Sequence, residues 1–140
     1  MRPTGELPAE ARLGRGSHAL RLVAVERTDD DVALELRVAV RGFAAAAACD
    51  VATGVLADWR SDLALLHAAL TGRAALTCDG VELVMTGDGR GGVLVEGVLD
   101  SETGWGDGER AVLRFTLPTL DQTDLPAVLS LLDAALAPPA

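Results

Sequence analysis

The chain has 140 residues, 49% of them hydrophobic, and a formal charge of −9. That length supports one domain with a core of its own, and that apolar fraction argues against disorder. The acidic excess argues against nucleic acid, whose phosphates need clustered cations, and against an anionic membrane surface, and it favours a basic protein partner.

Aromatic residues make up 3% of the chain and Tyr is absent, so the core has to be built from Leu, Val and Ala. All the basic residues are Arg, a bias that suggests a GC-rich genome. Residues 1–17, "MRPTGELPAEARLGRGS", show Pro, Gly and scattered charge without a period and read as a loosely ordered lead-in. They do not read as a signal peptide, and no apolar run approaches the roughly 20 residues of a membrane span. Residues 18–137 read as a single domain.

"ALRLVAVE" (19–26) predicts a first strand with imperfect alternation, and "RTDDD" (27–31) a turn. In "VALELRVAVR" (32–41) Val32, Leu34, Leu36, Val38 and Val40 share one face, the period-two signature of a strand with one buried side. "FAAAAACDV" (43–51) is rich in a helix former, yet follows the previous strand too closely for a helix and reads as its hairpin partner. "ATGVLADWRSDLALLHAALTGR" (52–73) is helical: Val55, Leu56, Trp59, Leu63, Leu66 and Leu70 form a stripe, with Thr53 as N-cap and Gly72 as stop. Four strand-like runs follow, "AALTC" (74–78), "VELVM" (81–85), "GVLVEGVLD" (92–100) and "RAVLRFTL" (110–117). "DG" at 79–80 marks a hairpin between the first two.

"TLDQTDLP" (119–126) leads into a last helix over 123–136, with Leu125, Val128, Leu129, Leu132 and Leu136 on one face. Thr123 or Asp121 can cap it, Asp124 suits the positive end of its dipole, and Pro126 is tolerated in the first turn. The order is β-β-β-α-β-β-β-β-α. Short turns make the sheet of about seven strands largely antiparallel, with two helices covering it: an α+β domain without an internal repeat.

Few residues offer chemistry. His18 and His67 have no sequence-implied acid or nucleophile partner. Cys49 and Cys78 lie in apolar strand-like runs outside any metal-binding spacing. They read as free thiols in a reducing cytoplasm, with a disulfide between neighbouring strands as the alternative. "TGDGRGG" (86–92) lacks the Lys and the following helix of a phosphate loop, and "TDDD" (28–31) reads as a solvated turn. The strongest constellation is "DSETGWGDGER" (100–110), where Asp100, Glu102, Asp107 and Glu109 surround Trp105. An exposed Trp ringed by carboxylates is an anchor for a basic partner; alternatively Trp105 folds back on the sheet edge and the acids are simply solvated. The spacing does not fit a calcium loop, so neither a metal nor a cofactor is expected.

Three stretches, "DDDVALELRVAV" (29–40), "GVLADWRSDLALLHAALTG" (54–72) and "FTLPTLDQTDLPAVLSLLDAAL" (115–136), together give a layout that resembles the WapI family of bacterial immunity proteins and related domains of GC-rich bacteria. The resemblance implies a non-enzymatic protein that binds and neutralises a toxin. Acidic charge and missing catalytic groups agree with that expectation and make the cognate toxin basic. The alternative is a small structural or accessory subunit with no toxin, a homodimer joined through a sheet edge.

Overall fold

The structure is a computed structural model that describes residues 7–78, 80–102 and 110–137. Four strands, β1 (Ala9–Arg15), β2 (His18–Arg27), β3 (Asp31–Val40) and β4 (Phe43–Ala52), lead into α1 (Thr53–Ala69). Four more, β5 (Thr71–Cys78), β6 (Val81–Asp88), β7 (Gly92–Glu102) and β8 (Arg110–Asp121), lead through a 3-10 turn (Gln122–Asp124) into α2 (Leu125–Leu136). Each group of four is its own antiparallel meander, in the orders β1-β2-β3-β4 and β5-β6-β7-β8. The α+β class, the antiparallel pairing and the two helices are as expected. The strands number eight among the described residues rather than seven, and they form two sheets, not one.

The additional strand lies inside the expected lead-in. Ala9, Ala11 and Leu13 alternate with Glu10, Arg12 and Gly14, and β1 pairs in register with β2 from Ala9 opposite Ala24 to Arg15 opposite His18. Ala11 and Leu13 are buried. The uneven alternation of β2 has a local cause, a register shift between Ala24 and Glu26. An extra residue there turns Val25 outward, and it is exposed.

The alanine run is strand, as its position demanded. Ala44 to Ala48 pair one for one with β3, from Ala39 back to Glu35. Tertiary pairing overrides alanine's helix preference because β3 offers a complete ladder.

In α1 the residues Leu56, Trp59, Leu63 and Leu66 are buried, whereas Val55 is exposed. Thr53 does not cap the helix: the N-cap position is Ala52, without a side-chain bond. The helix ends at Leu70 in the left-handed conformation, before Gly72 is reached. Asp121 provides the cap ahead of α2: its carboxylate accepts from the Thr123 N–H at 3.1 Å, and Asp124 accepts from the Asp121 N–H at 3.1 Å. This reciprocal box satisfies donors that the start of a helix would otherwise leave bare.

Each helix packs mainly on the sheet of the other half, α1 on β5 and α2 on β1 and β2, and the helices also touch each other. One continuous core therefore joins both sheets. It runs from Leu20, Leu22 and Leu36 through Trp59 and Leu63 to Leu83, Val95 and Leu132.

Candidate partner-binding surface

The meander topology determines which turns share an end of the molecule. The β2–β3 turn (28–30), the end of β4, the β5–β6 hairpin and the end of β7 meet at one pole. Three bonds tie them together. The Thr53 N–H donates to the Asp30 carbonyl at 2.8 Å, and the Asp100 N–H donates to the Gly80 carbonyl at 2.7 Å. The Cys78 thiol donates to the Asp50 carbonyl at 3.2 Å. Gly80 is required there: its φ is +76°, and a Cβ would stand 2.5 Å from the Asp100 carbonyl oxygen.

This pole is acidic. It carries Asp29, Asp30, Asp31, Asp50, Asp100 and Glu102 against two arginines, Arg27 at the end of β2 and Arg110 at the start of β8. Asp29, Asp30, Asp31 and Asp50 take no part in the ion pairs that join Arg21 with Glu10 at 2.6 Å, Arg37 with Glu35 at 2.6 Å, and Arg60 with Asp133 at 2.9 Å. The hydrogen bond from Arg21 holds the Glu10 carboxyl below its usual range, and Asp133 pushes the Arg60 guanidinium up. The opposite pole collects the turns with Arg15, Arg41 and Arg90 together with Asp88, Asp121 and Asp124, so its charges balance.

Of the five residues expected to bind a partner, Asp100 and Glu102 lie at the end of β7, in register with Val112 and Arg110. Trp105, Asp107 and Glu109 lie outside the described residues. From sequence alone residues 28–31 are a solvated turn, and Asp50 sits in an apolar run without a site signal. Their proximity to Asp100 depends on how two sheets meet, which no local pattern encodes.

Among the described residues no group of three or more His, Cys, Asp or Glu side chains is placed to hold a metal ion. Cys49 on β4 and Cys78 on β5 form no disulfide. A hollow of about 590 Å³ on the open face of the second sheet is lined by Arg73, Glu82, Glu96, Arg114 and Thr116, among others. Its lining contains no His or Cys, and it sets two central glutamates, Glu82 and Glu96, between two arginines, Arg73 and Arg114. No described helix is long and apolar enough to cross a membrane.

A compact antiparallel scaffold with an acidic pole has the character of a binding protein. The family model of the immunity protein WapI-like family matches residues 13–139. The chain belongs to that family. Its matched span includes the end of β1 and so reaches into the segment expected to be a lead-in. No curated protein matches it. Among solved structures it is similar to the crystal structures of Trypanosoma bruciei MRP1/MRP2, at 12% identity and a TM-score of 0.54. That similarity covers 94% of this chain and 85% of the other, and it concerns the fold alone.

Proposed function

We propose that the protein is a non-enzymatic immunity protein that binds and neutralises a basic bacterial toxin through its acidic pole. Membership of the WapI-like family supports the immunity role. The observation that carries the surface assignment is the convergence of Asp29, Asp30, Asp31 and Asp50 with Asp100 and Glu102 from separate segments. None of the first four forms an ion pair among the described residues. An excess of carboxylates on one end creates a field that steers a cationic partner and fixes its orientation. Trp105, flanked by Asp107 and Glu109 in the segment that follows β7, supplies the apolar anchor that charge alone lacks. Neutralisation is steric: the bound chain covers the toxin's basic surface. Two cysteines without a disulfide between them support a reducing, cytoplasmic setting, and the acidic charge speaks against nucleic acid and anionic membrane as partners.

The test is a tagged pulldown from the native host, repeated at rising salt, followed by titration of the captured partner. Binding weakens with salt because exposed charges are screened over about 8 Å at physiological ionic strength. Trp105→Ala costs about 2 kcal/mol or more as a central anchor, and Asp107→Asn or Glu109→Gln about 0.2–1 kcal/mol each. A binding constant unmoved by salt and by all three changes removes residues 105–109 from the interface. Recovery of the chain alone favours the accessory-subunit reading, which draws on the uncharged edge of the first sheet.

A further inference from the structure

The outer edge of the first sheet, β4, differs from other edges of the fold. From Phe43 to Cys49 it carries no charge, no Pro and no bulge. Edge strands are ordinarily protected by such features because their unpaired backbone groups invite another strand. Here β1 carries Glu10, Arg12 and Arg15, and β8 carries Arg110, Arg114 and Pro118. Ala44, Ala46 and Ala48 are exposed, and Phe43 is 71% exposed, the most open large apolar side chain described.

The hairpin turn determines which backbone groups are free. Arg41 and Gly42 have φ of +49° and +83°, the primed two-residue geometry closed by Val40 and Phe43. In that geometry the closing pair exchanges both of its backbone bonds. Bonded pairs then recur at Ala45, Ala47 and Cys49, and the N–H and C=O of Ala44, Ala46 and Ala48 turn away from β3. Asp50 has the same parity, and its carbonyl indeed bonds outward, to the Cys78 thiol. That contact closes one end of the edge and leaves Ala44 to Ala48 open.

We infer that β4 is a dimerisation edge on which a second copy of this chain pairs antiparallel, centred on Ala46. The open groups fit this register: Ala46 lies opposite Ala46 of the second copy and Ala44 opposite Ala48, giving about six backbone hydrogen bonds. A twofold interface must be complementary to itself, and this one is so in shape and in charge. Phe43 falls opposite Cys49 of the second copy with Ala47 on the diagonal, so small side chains leave room for the ring. The Cys78 thiol already holds the Asp50 carbonyl, so the paired stretch stops short of it, and the exposed Asp50 side chain lies near the turn of the second copy that carries Arg41. The two residues that bracket the uncharged run thus meet with opposite signs, and neither forms an ion pair within the described residues of its own chain. The pairing would join two four-stranded sheets into one, and it does not depend on the toxin reading.

The test uses the purified chain alone, by sedimentation equilibrium from about 1 µM to about 100 µM, a range that detects micromolar association. The expected result is a rise to twice the 14.5 kDa chain mass. Ala46→Pro removes an outward N–H that β3 does not use, so it should abolish the dimer while leaving the far-UV circular dichroism unchanged. Phe43→Asp, at an exposed site, should do the same and stands in should the proline variant fail to fold. Arg41→Glu should weaken the dimer, and Arg41→Glu combined with Asp50→Arg should restore it. A wild-type chain still monomeric at the highest concentration overturns the proposal. So does a dimer that survives both Ala46→Pro and Phe43→Asp.

Discussion

Gly97→Ala tests how tightly the second sheet is packed. Gly97 on β7 is paired with Phe115 on β8. A Cβ at Gly97 would stand 2.2 Å from Phe115 Cζ, 2.4 Å from Cε1 and 3.0 Å from Cε2. The ring therefore lies over the glycine backbone, and Phe115 is only 5% exposed. The φ of Gly97 is not in the left-handed region, so steric overlap alone carries the effect. To admit the methyl group the ring has to swing away, towards the hollow lined by His18, Val40 and Arg41, losing packing as it goes. Overpacking of this kind costs about 1–3 kcal/mol. At about 4 °C per kcal/mol for a chain of this size, Tm falls by roughly 4–12 °C. Phe115→Leu removes the three contacting ring atoms at its own cost of about 1–2 kcal/mol. Because the alanine methyl then fills the space left by the ring, the double variant should be about 1 kcal/mol more stable than the sum of the two losses predicts. Thermal and urea unfolding of the four proteins measure this coupling. Strict additivity, or an unchanged Tm for Gly97→Ala, would refute the stacking argument.

Asp121→Ala removes the acceptor for the Thr123 N–H and should destabilise the protein by about 0.5–2 kcal/mol; Asp121→Asn, which keeps an oxygen acceptor, should recover most of that in the same urea titration. Leu63→Ala, at a fully buried site between sheet and helix, should cost about 2–5 kcal/mol. Arg60→Ala breaks the half-exposed pair with Asp133 and should cost no more than about 1 kcal/mol. If Arg60→Ala proved the more damaging of the two, the interface between the helices would owe more to charge than to the shared apolar core.

The elements that repeat a period over many residues were legible from sequence. Strand β3 is the clearest: Val32, Leu34, Leu36 and Val38 are all buried, as their alternation demands. Helix α1 was legible from Leu56, Trp59, Leu63 and Leu66, although Val55 at the margin of the stripe stays in solvent. Strand β1 carries the same period-two signal over Ala9, Ala11 and Leu13, but so briefly that the neighbouring Pro8, Gly14 and Gly16 suggest a loop instead. The division into two sheets was not legible, because it depends on α1 intervening between β4 and β5 and on each helix covering the opposite half. Nor does the order ββββα, which occurs twice, leave a repeated sequence. The two halves meet their burial demands with different side chains, alanines in β4 where β8 has Phe115 and Leu117. The acidic pole was half legible: Asp100 and Glu102 were singled out, while residues 28–31 and Asp50 join them only through the bonds to Asp30, Gly80 and Asp50.

The two proposals make a joint demand on stoichiometry. Strand β4 ends at the acidic pole, where Asp50 lies, and begins at the opposite pole, beside Arg41. Antiparallel pairing through β4 therefore sends the acidic poles of the two copies in opposite directions and lays each pole's end of the strand beside the other copy's basic turn. Charge repulsion between two chains of −9 is lowest in that arrangement, because like-charged ends are kept furthest apart. Asp50 is shared with Arg41 of the other copy, but Asp29, Asp30 and Asp31 stay clear of the pairing at each pole, so a dimer should bind two toxin molecules, one per chain, with nearly equal affinity. Calorimetry on the wild type and on Phe43→Asp should then give one toxin per chain in both cases, with binding constants that agree within about two-fold. A dimer that takes up a single toxin, or a monomeric variant that binds much more tightly than the wild type, would mean that pairing covers part of the acidic pole. The two surfaces would then compete, and the assignment of the toxin to that pole and of the second copy to β4 could not both stand.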